Sequence, residues 1–229
     1  MMVAPTRTEP SVPQAALETE LTGQSMGGGL RLLVASAPED AERADRDLRQ
    51  VAGRIDAWAR RLTRFSRTSD LAHLNADADR SPVALRPTIA SVLSHARGMS
   101  RATEGVVEVA MLDARIAAEA EEWSMPTRRA AWQLTGEGRQ PVLIRDGRVR
   151  FDLDGVAKGW IADRALRLLD AYPSALVDAD GDVAIRSSST AGWSIAVAHP
   201  EDDVGELARL RAPRGWSGDS FGVATSGTS

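Results

Sequence analysis

The densest run of reactive side chains is Phe151-Asp152-Leu153-Asp154-Gly155-Val156-Ala157-Lys158-Gly159-Trp160-Ile161-Ala162-Asp163. Apolar residues alternate into two carboxylates, a glycine follows, and the pattern turns helical with a lysine in its first turn. The amide groups at such a helix start attract phosphate, and a lysine there adds a mobile positive charge. Asp152 and Asp154 suit magnesium, or a hydrogen bond from a ligand hydroxyl or ring N–H. The plainer reading is that Asp154 caps the helix and Lys158 is solvated, and spacing alone leaves both open. Lys158 is nevertheless the only lysine in the chain, every other Lys/Arg position being arginine. A genome rich in arginine codons accounts for the arginines but not for one retained ammonium, which differs chemically from a planar guanidinium.

Three weaker constellations accompany it. Leu176-Val177-Asp178-Ala179-Asp180-Gly181-Asp182-Val183 gathers three carboxylates around a glycine, as a turn does for backbone reasons and a ligand site does for charge. Ala224-Thr225-Ser226-Gly227-Thr228-Ser229 is a small-residue loop whose hydroxyls and amides can cradle phosphate, although many surface loops read the same way. Met26-Gly27-Gly28-Gly29 either lets backbone approach a ligand closely or leads flexibly into a strand.

Composition narrows the chemistry. The chain has no cysteine, which removes thiol catalysis, disulfides and Cys-ligated metal. His73, His95 and His199 show no ligand spacing. A net charge of −4 without a clustered basic excess speaks against nucleic acid as a partner. No apolar run approaches the ~18 residues of a membrane span, and Met1–Gln24 lacks the apolar core of a signal peptide. We therefore expect residues 1–25 to be a disordered leader, residues 26–229 to form one domain, and the protein to be cytoplasmic.

Several elements must position these groups. A strand is expected at Leu30–Ser36, then a long helix from Pro38 to about Thr63 with the stripe Ala41, Ala44, Leu48, Val51, Ile55, Trp58, Leu62. Ser69 is placed to cap a short helix ending near Asn75, and Thr88–Thr103 reads as a second amphipathic helix. Arg115–Thr135 has a helical pattern. Pro141–Ile144 and Val149–Leu153 around Asp146-Gly147 read as a hairpin. A helix starting near Gly155 turns Val156, Trp160, Ile161, Ala165 and Leu168 inward. Strands follow at Ala175–Asp178, Val183–Arg186, Trp193–Ala198 and Glu206–Leu210. Helices first and strands after, without regular alternation, predict an α+β fold.

In their order these motifs resemble the ApbE family of FAD:protein FMN transferases. Met26-Gly27-Gly28 resembles the family's opening Met-Gly-Thr. Phe65-Ser66 and Ser69-Asp70-Leu71-Ala72-His73-Leu74-Asn75 resemble its Ser-(Asp/Glu)-Leu-x-x-Leu-Asn signature. Asp152–Asp163 resembles Asp-Leu-Gly-Gly-Ile-Ala-Lys-Gly-(Tyr/Trp)-x-x-Asp, Leu176–Asp182 resembles Leu-Val-Asn-Ala-Gly-Gly-Asp, Trp193-Ser194-Ile195 its Trp-x-Ile strand, and Ala224–Gly227 its Ala-Thr-Ser-Gly.

The resemblance implies a single T-fold-like domain with a mixed or antiparallel sheet and packed helices. It also implies a magnesium-dependent transferase that cleaves FAD, attaches FMN to a Thr or Ser of an acceptor flavoprotein and releases AMP. Carried onto this sequence, Asp152 and Lys158 contact FAD, the Gly155 carbonyl is a magnesium ligand, and Met26 and Phe65 lie against flavin or adenine. Thr225 and Ser226 line the same pocket, and Asp182 is the candidate base by its nearness to the expected site.

Departures from the pattern are as specific. Gly105-Val106-Val107-Glu108-Val109-Ala110 stands where the family has Gly-x-Phe-Asp-x-Thr, so Glu108 keeps the carboxylate as a binding candidate while the aromatic and hydroxyl are gone. Asp154 and Asp180 each replace a glycine. The family's His-x-Ile-Asp-Pro-x-Thr-Gly motif follows Ala-Thr-Ser-Gly and is not in this sequence, which leads us to expect a chain truncated in its C-terminal part. The alternative reading is a non-catalytic or degenerate flavin-binding relative.

Overall fold

The computed structural model describes residues 17–121, 131–136, 140–187, 194–198, 205–211 and 220–224. Its centre is a five-stranded antiparallel sheet in the order β1 (Leu17–Ser25), β2 (Gly28–Ser36), β6 (Ser174–Ala179), β7 (Asp182–Ser187), β10 (Phe221–Val223). A three-stranded sheet joins β3 (Val83–Ala84), β5 (Val142–Asp146) and β4 (Ala131–Thr135), and β8 (Ser194–Ala198) pairs with β9 (Glu206–Arg211). Every strand pair among the described residues is antiparallel. The α+β class is as the sequence leads one to expect.

Two helices cover the central sheet. Helix α1 (Ala41–Leu62) follows a 3-10 turn at Pro38–Asp40 and buries Ala44, Leu48, Val51, Ile55 and Leu62 of the predicted stripe, with Ala41 and Trp58 partly buried. Helix α5 (Asp154–Leu168) buries Val156, Trp160, Ile161, Ala162, Ala165 and Leu166. These faces meet Leu30, Leu32 and Val34 of β2 and Ala175, Val177 and Ala179 of β6 in one core. Trp58 of α1 and Trp160 of α5 lock the two helices edge to face at 5.7 Å. Leu168 is half exposed and Leu169 fully buried, so the apolar stripe is one residue out of phase with expectation at the helix end.

The smaller helices fix the approach to α5. Helix α2 (Asp70–Ala76) is capped as predicted, the Ser69 hydroxyl accepting from the Ala72 amide at 2.9 Å. The same hydroxyl donates to the Thr63 carbonyl at 2.6 Å, tying α2 to the end of α1. Asn75 is buried and exchanges two 2.8 Å hydrogen bonds with the backbone of Phe151. That clamp holds the segment leading into α5, so the Leu-Asn signature has a structural purpose. Helix α3 (Pro87–Ala102) packs Ile89, Val92, Leu93 and Ala96 inward, and α4 (Leu112–Glu119) completes the described helices.

Three expectations are corrected. Leu17–Ser25 of the presumed leader is a full strand, because each residue pairs in register with β2. Its mostly exposed, polar-rich face conceals the strand from a hydrophobicity reading. The presumed helix Arg115–Thr135 ends at Glu119, and Ala131–Thr135 is instead β4, alternating exposed and half-buried residues with a period of two. The Pro141–Leu153 hairpin does not form. Strand β5 pairs with β3 and β4, while Phe151 is claimed by Asn75 and Val149 donates to the Ala78 carbonyl. No described helix is long and apolar enough to cross a membrane.

Candidate functional site

Two tight turns and a helix start converge at one end of the central sheet. Ser25 pairs with Gly28, leaving Met26 (φ 57°) and Gly27 (φ 83°) as a two-residue connection. Ala179 pairs with Asp182, leaving Asp180 (φ 59°) and Gly181 (φ 90°) in the same geometry. Positive φ at both central positions is the type I′ turn, whose twist matches that of the strands. Asp-Gly suits it. Methionine does not, and a non-glycine residue there costs about 1–2 kcal/mol. The strain sets Met26 against the core at the cavity wall.

The turns, the C-terminal end of α1 and the first turn of α5 enclose a cavity of about 780 Å³. Met26, Phe65, Gly155, Lys158 and Asp182 all line it, so five of the sequence-predicted residues meet in one place. Glu108 and Asp152 face an adjoining cavity of about 420 Å³ that shares Gly155 with the first. Glu108 is held by the Ala110 amide at 2.9 Å, and Asp152 accepts from the Asp154 amide at 3.0 Å, capping α5 from within its own segment. Thr225 and Ser226 lie outside the described residues, and their neighbour Ala224 lines the larger cavity.

The walls divide by chemistry. On one side Phe65 is 76% exposed, a large ring left open to ligand or solvent. The Arg64 guanidinium lies 4.2 Å from the centre of that ring and reaches Glu119 at 2.6 Å and Asp154 at 3.5 Å, joining α4 to α5 behind it. On the other side the Lys158 ammonium donates to Asp180 at 2.5 Å, and the Gly29 amide donates to the same carboxylate at 3.3 Å. The lysine hydrogen bond, aided by its charge and the Gly29 amide, holds the Asp180 carboxyl below the usual range. Asp182 shifts oppositely: burial raises it, and the Lys158 charge and the Gly159 amide only partly offset that. A half-buried carboxylate shifted toward its protonated form near a cation is a candidate proton acceptor.

Sequence reading missed Arg64, and it missed Asp56, which lines the cavity from α1 and accepts from the Ser25 hydroxyl at 2.8 Å. Asp56 sits within the arginine- and aspartate-rich helical pattern and Arg64 just past its end, and no local signal separates either from solvated neighbours. It also read Asp180 as part of a carboxylate-rich turn and as a lost glycine, without seeing that it faces Lys158.

Among the described residues no three His, Asp or Glu side chains stand close enough to hold a metal ion. The described groups alone therefore do not make a magnesium site, and no step below is routed through the ion.

Solved structures share this fold. The ApbE protein of Thermotoga maritima aligns with a TM-score of 0.67 at 18% identity, over 86% of this chain and 68% of its own. The flavinyl transferase ApbE of Pseudomonas stutzeri, in its apo form, aligns at 0.63 and 15% identity, over 86% and 67%. The flavin transferase ApbE of Vibrio cholerae aligns at 0.61 and 20% identity, over 86% and 68%. This chain thus spans about two thirds of the length of each. No curated protein matches it by sequence. The sequence profile of the ApbE family matches residues 26–229, and by that match the chain belongs to the ApbE family.

Proposed function

We propose that this protein is a flavin transferase that takes FAD, passes its FMN half to a serine or threonine hydroxyl of an acceptor flavoprotein, and releases AMP. The observation that carries the reading is the 780 Å³ cavity lined together by Lys158, the open Phe65 ring and Met26. Its volume lies within the range of small-molecule and cofactor sites, and its two characters match a ligand with flat rings and a charged bridge. The transferases of Pseudomonas stutzeri and Vibrio cholerae, alike in fold, support the same reading.

Each group then has a task. Phe65 and Met26 offer an aromatic face and an adaptable thioether to flavin or adenine. Lys158, on the positive end of α5, faces the pyrophosphate and offsets charge as its bridge breaks. The acceptor hydroxyl oxygen bonds to the FMN phosphorus, the P–O bond to AMP breaks, and AMP leaves with the electron pair. Asp182 takes the hydroxyl proton. Asp152 and Glu108, in the adjoining cavity with Gly155, extend the ligand-binding wall, and Thr225 and Ser226 are assigned to the same ligand on the ground of the resemblance. Magnesium dependence, with the Gly155 carbonyl as one ligand, belongs to the proposal on the ground of the resemblance, and its remaining ligands would come from outside the described residues.

The test is to incubate the protein with FAD, magnesium and a flavin-acceptor protein, then read flavin fluorescence on the denatured acceptor together with AMP release. Both are expected. Tight FAD binding without either product would replace this reading with that of a non-catalytic flavin binder, a role favoured by one observation: Asp180 already occupies Lys158.

A further inference from the structure

We propose that Asp180 is a built-in competitor for the ligand's phosphate, a carboxylate latch that an incoming anion must displace from Lys158. The inference rests on reading the cavity as a site for a phosphate-bearing ligand, and it concerns a residue to which that reading gives no task.

Three features separate this contact from an ordinary surface ion pair. First, both carboxylate oxygens are used in the manner of a bound phosphate, one accepting from the Lys158 ammonium at 2.5 Å and the other from the Gly29 backbone amide at 3.3 Å. Second, the carboxylate has a seat. Gly28 lies directly beneath it, and a Cβ at that position would overlap the Asp180 carboxyl group. Third, the backbone aims the side chain: Asp180 holds φ 59° in a two-residue turn clamped by the Ala179–Asp182 pair, so its direction is set by the hairpin rather than by a flexible loop. Asp180 and Lys158 both line the cavity. The lysine, its nearest fixed carboxylate and the adjacent amide therefore form a closed set in the free protein.

The consequence is a penalty on anion binding. A phosphate oxygen reaching Lys158 meets a carboxylate of its own sign in the same place, and it gains the lysine and the Gly29 amide only as Asp180 swings out. Neutral residues at this position relieve the competition. Asparagine keeps the shape and accepts positive φ, and glycine accepts it without strain, so both variants preserve the turn.

Because Lys158 is the chain's only lysine, its acylation by an amine reagent can be followed residue-specifically by peptide mapping, and inorganic pyrophosphate serves as the probe. In Asp180→Asn and Asp180→Gly, labelling of Lys158 is expected to be at least threefold faster than in the unaltered protein. The pyrophosphate concentration that half-protects Lys158 is expected to fall at least fivefold, with thermal unfolding confirming that each variant is folded. A half-protection concentration unchanged within twofold in both variants overturns the latch, as does failure of pyrophosphate to protect Lys158 in any of the three proteins. FAD affinity measured in parallel keeps the two ideas apart. FAD binding with an unchanged pyrophosphate response removes the latch and leaves the flavin reading. A fivefold gain for pyrophosphate with no FAD binding leaves the latch and removes the flavin reading.

Discussion

Asp180 and Asp182 flank a single glycine and line the same cavity, and the fold drives their protonation in opposite directions. Asp180 sits in the turn itself, where its carboxylate meets an ammonium and an amide. Asp182 is the first residue of β7, packed beside Gly159 of α5, and burial outweighs the more distant lysine. A two-residue offset across a hairpin turn is therefore enough to make one carboxylate a stable anion and the other a reluctant one. The pair thus resembles an arrangement that recurs where one group holds charge and another moves a proton.

The most severe way to break this contrast is Asp182→Asn. The proposed role of proton acceptor makes Asp182 worth about 10²–10⁴-fold of the transfer rate, and the amide cannot replace it. FMN transfer to an acceptor protein is expected to drop by that factor while FAD affinity stays within a few fold. Stability should move the other way. A carboxyl whose folded pKa is raised favours folding when protonated, and that benefit is lost as pH rises through the folded value. At neutral pH the half-buried charge is a liability, so the Asn variant should melt at an equal or higher temperature than the unaltered protein. A lower melting temperature at pH 7 would show that Asp182 is held by partners rather than merely buried. The transfer rate of the unaltered protein should likewise fall with acid, its inflection lying above the ordinary carboxylate range.

Lys158→Ala removes the cation that both carboxylates share, and about a 10²-fold loss of transfer is expected from one missing electrostatic contact at the reacting phosphate. Lys158→Arg should not restore it, because a planar fork cannot take the place of a compact ammonium seated against Asp180. Equal activity in the Arg variant would mean that only net charge matters at this wall. Smaller in effect is Phe65→Ala, which tests whether the aromatic wall acts independently of the charged one. Loss of a stacking face should weaken FAD binding roughly tenfold, on the order of 1 kcal/mol. The melting temperature should be unchanged, since the ring is 76% exposed.

How much of this was legible depends on how local each signal is. The Asp152–Asp163 run announces a helix start with a lysine near its opening, and both stand, whereas the strand expected to lead into it does not form. The α1 stripe is equally plain, because an amphipathic helix writes its buried face at a fixed spacing. What escaped reading is set by partners far along the chain. Leu17–Ser25 is a strand because β2 pairs with it, not because its own residues alternate clearly. Phe151 follows Asn75, 76 residues earlier, rather than the hairpin its neighbours suggest. Asp180 reads as a turn residue and is one, but its second occupation depends on Lys158 of α5 and on Gly28 and Gly29 of β2, two elements distant in sequence from one another.

The smallest expected effect concerns that second occupation and bears on stability alone. A carboxylate whose folded pKa is lowered contributes stability above its unfolded value, near 3.9, and loses it as pH falls through the folded value. The Asp180 and Lys158 side chains are 40% and 32% exposed, so solvent screens the pair, and its contribution should stay below about 1 kcal/mol. Asp180→Asn should accordingly cost the protein only a fraction of a kilocalorie at pH 7, about 0.5 kcal/mol. The difference should shrink further in high salt and again in acid, as the pH falls below the unfolded value toward the lowered folded one. Denaturant unfolding of both proteins at pH 7 and pH 3 measures it. A loss as large in acid as at neutrality would assign the effect to the turn backbone instead, and the low pKa of Asp180 would then say nothing about why the position carries a carboxylate.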